Sequence, residues 1–381
     1  MNRLPMDLVD EILFRSTPKS LGKMRCTNKS FEARICNDPI FKAKYLSRVG
    51  SSLLHISRDA SASLCFHPSG DPRAFLPEAN LETKCRILGH CSSLLLLVVG
   101  GFYCVVNPLT KKFRFLDLFD RAYRKCIGFL VDQIDENTQR FKLVRAEAHY
   151  DYPIPYETTY GFEIYAGNAW RLSTTTFTCP SSDLMKDMKP VYLEEDGALY
   201  WLREDYSILA FNPETEQARL IPVKFNREPD TKLLFGSGDN RLTMIAATKE
   251  VIDVFVLEGI LTDPKWILAK RIRNEAVHES VTLSWDVVAF DGRCLAVRTM
   301  KGIGRHVVYG YDFRANKWGV VGLMPDWCDT RRYFYLLKPS WSCVVGLMDQ
   351  DEENLWYKVF TSIKSKRLSS LESIMDLINL S

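Results

Sequence analysis

The 381-residue sequence contains no GxxxxGK[ST] loop, no HExxH and no GxSxG. Local signatures of nucleotide hydrolysis, zinc proteolysis and α/β-hydrolase chemistry are therefore missing. Its eleven cysteines are odd in number and form no CxxC pair. That argues against a disulfide framework and for a reducing compartment, the cytoplasm and/or nucleus. The six histidines (His55, His67, His90, His149, His278 and His306) are scattered, so no metal site is marked. The longest purely apolar run, Leu94–Val99, has six residues and is too short to span a bilayer. Asp7, Asp10 and Glu11 interrupt the first apolar pattern, which excludes it as a secretory signal. A net charge of +3 does not mark a nucleic-acid partner. The short glycine segments Gly236–Asn240 and Gly302–Gly304 read as turns between strands. No catalytic residue, metal, cofactor, membrane or nucleic acid is expected.

What charge there is lies unevenly. Residues 1–50 hold ten Lys/Arg against five Asp/Glu, a net of +5, which leaves −2 for the remainder. In this basic head Pro5 suits a first helical turn, where its missing N–H is no loss, and Asp7 complements the helix dipole. Leu4, Leu8 and Ile12 recur every four residues, flanked by Val9 and Leu13, and form a wide apolar stripe. Ser16–Ser20 breaks the pattern. A second helix is expected from about Pro18 to Cys36, with Leu21, Met24, Phe31 and Ile35 apolar, and a short third helix follows the Asn37–Pro39 turn. Three helices in under fifty residues make a poor core. Such a segment either caps the body or awaits a partner.

The same residues resemble an F-box. Leu4, Pro5, Asp7, Leu8, Ile12, Leu13, Lys19, Ser20, Leu21, Arg25, Cys26, Lys29 and Phe31 follow that family's pattern in order and spacing across residues 2–46. Phe31 stands where Trp is usual, and Ser16 and Thr17 displace the usual Pro to Pro18. The resemblance implies docking on an acidic Skp-type (ASK) adaptor, and through it on a cullin–RING ubiquitin ligase. The implied adaptor-binding residues are Leu4, Pro5, Leu8, Val9, Ile12, Leu13, Leu21, Met24, Cys26 and Phe31.

Beyond residue 90 the apolar period changes from helix to strand. Ser92–Pro108 reads as two strands around Gly100–Gly101, a two-residue hairpin signal, and Gly197–Val223 as a three-stranded meander. Tyr103–Asp117, Ile208–Pro222 and Val308–Gly322 share one theme: an apolar strand, an Asn or Asp with a polar turn, and another strand. Asn107, Asn212 and Asp312 mark the turns, and an Asn followed by Pro suits the start of a type I turn. Related segments lie around Tyr165, Phe255 and Tyr357, giving steps of 58, 47, 43, 57 and 45 residues. The mean matches a kelch-like β-propeller blade of about 50 residues. The blade count stays open.

All eight tryptophans lie between Trp170 and Trp356, either as packing between blades or as a ligand cage. The body also resembles, more weakly, the F-box-associated region of plant F-box proteins, which implies recruitment of a protein target. The most aromatic candidate for a target-contacting loop is Ala146–Tyr160, with Tyr150, Tyr152, Tyr156 and Tyr160, the alternative being an inter-blade loop with buried tyrosines. Residues 368–380 read as a helix with a Ser369-x-x-Glu372 capping box and an apolar stripe of Leu371, Ile374, Met375 and Ile378. Lys364–Arg367 reads as plain surface or a nuclear-import signal.

The expected organisation is a small α-helical F-box head (1–49), a linker or partial first blade (50–90), an all-β, kelch-like β-propeller (91–365) and a short C-terminal helix (366–381). The expected function is substrate recognition in an SCF-type ubiquitin ligase. The alternatives are an F-box-like scaffold outside any ligase and a propeller enzyme with a helical cap.

Overall fold

In the computed structural model the described residues are 5–16, 18–38, 40–41, 44–45, 52–56, 61–66, 78–91, 93–116, 127–135, 138–149, 156–167, 169–277, 282–301, 305–324, 334–337, 343–348 and 361–379. The head comprises α1 (Met6–Arg15), α2 (Pro18–Thr27), α3 (Lys29–Glu32) and a π-helical turn over Ala33–Asn37. The helix expected over Pro18–Cys36 is thus divided. Asn28 takes an extended conformation and its side chain accepts the Ser30 amide, capping α3 at a cost to continuity. Ile40, Phe41, Lys44 and Tyr45 are also helical.

The strands follow in groups. The first group is β1 (Ser52–Ile56), β2 (Ser61–Phe66) and β3 (Glu78–Asn80). The next is β4 (Cys85–Cys91), β5 (Leu94–Val99), β6 (Phe102–Asn107) and β7 (Lys112–Leu116). A third is β8 (Ile127–Asp135), β9 (Thr138–His149), β10 (Glu157–Tyr165) and β11 (Trp170–Pro180). Then come β12 (Val191–Leu193), β13 (Ala198–Leu202), β14 (Ile208–Asn212) and β15 (Gln217–Ile221). They are followed by β16 (Lys232–Gly238), β17 (Arg241–Ala247), β18 (Val251–Glu258) and β19 (Lys265–Arg273), then β20 (Thr282–Phe290), β21 (Cys294–Lys301), β22 (Arg305–Asp312) and β23 (Lys317–Met324). The last strands are β24 (Phe334–Leu337) and β25 (Cys343–Val345), before α4 (Thr361–Asn379).

These strands make six sheets. Five are successive antiparallel meanders, and the sixth has the order β24-β1-β2-β3. There Phe334–Leu337 pairs antiparallel with β1, so a late strand completes the earliest sheet. The innermost strands β4, β8, β12, β16, β20 and β24 touch in that sequence, and β24 touches β4 again. The sheets therefore close into a ring of six blades, with the inner strands covered and outer strands such as β11 and β19 left at the rim. β25 extends the third sheet, pairing in parallel with the first residues of β9.

The repeat theme lands on one strand type. Asn107, Tyr165, Asn212, Phe255 and Asp312 all lie in third strands, β6, β10, β14, β18 and β22. The sixth candidate, around Tyr357, lies outside the described residues. The sixth blade instead draws on residues 52–80, within the stretch expected as linker or partial blade. The marked turns share one geometry. Asn107 Oδ1 accepts the amides of Leu109 and Thr110 at 3.1 and 3.3 Å. Asn212 Oδ1 accepts those of Glu214 and Thr215 at 2.9 and 3.1 Å. Asp312 Oδ1 accepts those of Arg314 and Ala315 at 2.8 and 3.0 Å. Four residues beyond each, Lys111, Glu216 and Asn316 have φ of 58°, 52° and 53°. A side-chain-closed turn ending in a left-handed residue is thus built three times.

Strand alternation explains the packing. On β5, Leu95, Leu97 and Val99 enter the core shared with the β24-β1-β2-β3 blade, while Leu94, Leu96 and Val98 enter the core facing β8 and β9. On β13, Tyr200 and Leu202 face the β16–β19 blade, while Leu199 and Trp201 face the β8–β11 blade. A strand buried on both faces reads as a continuous apolar run, as Leu94–Val99 does. Six such cores lie between the six blades.

Among the described tryptophans, Trp201 and Trp285 are buried, and Trp170 and Trp266 pack at the margins of cores. Trp318 lies against Tyr311 and donates to the Arg273 carbonyl at 3.0 Å. α4 begins at Thr361, before the expected Ser369 cap, so the capping-box reading is corrected. Ser369 lies inside the helix and donates to Glu82 at 2.9 Å. Leu371, Ile374 and Met375 seal one inter-blade core, and Arg367 lies over the Phe102 ring. Those three residues of the α4 stripe are therefore spent on the propeller, and the Ile378 side chain lies outside the described residues.

Candidate functional site

The head folds around Leu13, Leu21, Ile35, Phe41 and Tyr45, with Val9, Phe14, Met24 and Phe31 at its margin. Phe14 stacks on Phe41 with centroids 4.8 Å apart, and the Tyr45 hydroxyl donates to the Ser16 carbonyl at 2.7 Å. A charged clamp ties α1 to the π-helical turn: Arg34 pairs with Asp10 and with Asp38. The Asp10 hydrogen bond is the main reason the guanidinium is held above its ordinary pKa. Asp38 also accepts the Phe41 amide at 2.9 Å, starting the next helical segment.

This core takes one face of α1 and leaves another. Leu13 is 1% exposed, whereas Leu8 and Ile12, one turn apart, are 52% and 49% exposed. Pro5 is exposed beside them. Of the other predicted contact residues, Val9, Met24 and Phe31 are half-buried, and Leu21 is fully buried. Leu4 and the Cys26 side chain lie outside the described residues. The ten predicted positions thus divide. Leu13 and Leu21 hold the helices together, while Leu8 and Ile12 face outward. The stripe pattern could not separate these roles, because both meet the same four-residue period. The Asp10–Arg34 half of the clamp leaves no local signal, since its partners lie 24 residues apart, whereas Arg34 and Asp38 are an i,i+4 pair.

The predicted target loop is shorter than expected. β9 runs to His149 and β10 starts at Glu157, so Ala146 and Tyr160 belong to strands. Tyr160 is fully buried and donates to the Ser182 carbonyl at 2.7 Å, which withdraws it from any surface role. Tyr156 is 77% exposed. Tyr150 and Tyr152 lie outside the described residues. Among the described residues no group of three or more His, Cys, Asp or Glu side chains could hold a metal ion.

The profile of the family described as F-box associated beta propeller domain matches residues 66–275. The chain belongs to the plant F-box proteins that carry this propeller. It is 55% identical over 354 residues to an F-box/kelch-repeat protein of Arabidopsis thaliana, covering 92% of this chain and 80% of that one. A second F-box protein from the same plant is 45% identical over 305 residues, covering 74% of this chain and 95% of the other. The match begins inside β2 and ends just after β19, so the family's own domain includes part of residues 50–90.

Proposed function

We propose that this F-box protein is the substrate-recognition subunit of an SCF-type ubiquitin ligase. In this reading α1 docks on a Skp-type adaptor, the adaptor connects it to a cullin, and the propeller recruits a protein target. The observation that carries it is the exposure of Leu8 and Ile12 on a helix whose neighbouring face is already sealed by Leu13. Burying a Leu or Ile side chain contributes roughly 1.5–3 kcal/mol, enough for two anchors to dominate an interface. The net +5 of residues 1–50 favours encounter with an acidic partner. The chain does no chemistry here. It raises the effective concentration of target beside the transfer machinery.

The test is calorimetric titration of the full chain with a Skp-type adaptor. Leu8→Asp with Ile12→Asp should weaken binding at least about a hundredfold while the propeller's unfolding transition stays in place. Binding equal to wild type by the double variant would overturn the docking assignment.

A further inference from the structure

The six inner strands surround a cavity of about 510 Å³, within the size range of small-molecule sites. Its lining mixes polar and apolar residues: Phe129 from β8, Phe235 from β16 and Phe334 from β24 back it from within the inter-blade cores, and Phe290 from β20 is half-buried beside them. One cation reaches into it. Lys189, two residues ahead of β12, donates from Nζ to the Phe334 carbonyl and lies 3.5 Å from the centroid of the Tyr335 ring. Tyr335 is held in turn by its hydroxyl, which donates to the Ile87 carbonyl of β4 at 2.9 Å. No described carboxylate is ion-paired with Lys189; its described partners are that carbonyl and that ring.

An ammonium has three donors, and a buried one without a counter-charge is costly. Burial accordingly lowers Lys189 to about 7. The cavity is also polarised along its axis. Lys189 and Phe334 lie where inner strands begin, whereas Glu194, Asp239 and Asp291 lie on turns where inner strands end. At that acidic end Gly238 and Gly292 bring two blades together, since a Cβ on Gly238 would stand 3.0 Å from the Gly292 Cα.

We infer that the central cavity binds a small organic acid with an aromatic-sized body, its carboxylate paired with Lys189 and its body against the apolar part of the lining beside Phe290. The acidic end sets the direction, because a carboxylate placed there would face three like charges. The site is separate from α1, so it stands or falls independently of adaptor docking.

The test uses the full chain and four probe acids: benzoate, phenylacetate, 3-phenylpropionate and indole-3-carboxylate. Each is titrated against its own primary amide by ligand-observed NMR and calorimetry. At least one acid should bind about tenfold or more tightly than its amide. Lys189→Met should abolish that preference, and Lys189→Arg should keep most of it. Gly236→Leu fills the cavity from another blade and should lose acid and amide together. A Cβ there has only ordinary contact, 4.0 Å to Phe290 Cδ1, so this variant is expected to fold. The inference is overturned if no acid binds better than its amide. It is equally overturned if Lys189→Met, or Gly236→Leu where Lys189→Met does not fold, binds the acids as wild type does.

Discussion

In the propeller each middle strand sends alternate side chains into two different cores, as Leu94 and Leu95 do on β5. In the head, α1 sends Leu13 into a core of five buried residues and leaves Leu8 and Ile12 outside it. The contrast follows from geometry. A ring of blades gives every sheet a neighbour on both faces. A cluster of short helices has too little area to cover all of its apolar surface. The propeller completes itself, using β24 and α4 from the end of the chain. The head covers one side of α1 and leaves Leu8 and Ile12 exposed on another.

The sharpest way to break this comparison is to open one core in each part. Phe211 stacks on Phe162 with centroids 4.0 Å apart between two blades. Phe211→Ala should destabilise the propeller by about 3–5 kcal/mol, read as a lower denaturant midpoint. An unchanged midpoint would mean that the blades do not share their cores cooperatively. Leu13→Ala should cost about 2–5 kcal/mol, more than a five-residue core sustains. Far-UV circular dichroism should then lose the head's helical signal while the propeller transition remains. Simultaneous loss of both would show that the head is part of the propeller's folding unit.

Smaller effects sharpen the account of the blades. Asn212→Ala removes the acceptor for two turn amides and should cost about 1 kcal/mol. Asn212→Asp keeps that acceptor but loses the Nδ2 donation to the Asp196 carbonyl at 3.1 Å, so it should recover only part of the loss, and a neutral alanine variant would assign the turn to backbone preference alone. Glu216 reaches from its turn to the neighbouring blade's β11. The Ser173 hydroxyl first, then Arg171 and the Thr174 amide, hold its carboxyl at about 2 against the opposing pull of burial. Its folded pKa lies below the unfolded value, so its contribution is present above roughly pH 4–5 and is lost as pH falls toward 2. Glu216→Gln should therefore be less stable than wild type at pH 6, by under about 1 kcal/mol for a partly exposed site. The gap should narrow steadily as pH falls from about 5 toward 2, and a constant gap across that window would deny the linkage.

Local patterns were sufficient for several of the strands and turns. Gly100 and Gly101 both take positive φ, 54° and 90°, as their two-residue hairpin requires. Asn107, Asn212 and Asp312 announce their turns because an Asx side chain closes on amides only two and three residues away. The C-terminal apolar stripe was legible, but the start of α4 was not. The Ser369 motif that suits a cap serves instead as a contact to Glu82. Tyr160 shows the same limit: its neighbours resemble a loop, yet β10 carries it inward.

The amino-acid order alone determined that a basic helical segment precedes a long run of strands, and that the strands recur with Asx-closed turns. Those properties depend on contacts within a few residues. Tertiary structure decided that the described strands form six blades, because β24 meets β1 from far along the chain, Ser52 opposite Leu337. It also decided which leucines of α1 are structural and which face outward, and that Lys189 enters a central cavity. Each of these depends on residues distant in sequence becoming neighbours, and a local period carries no record of which surfaces will meet.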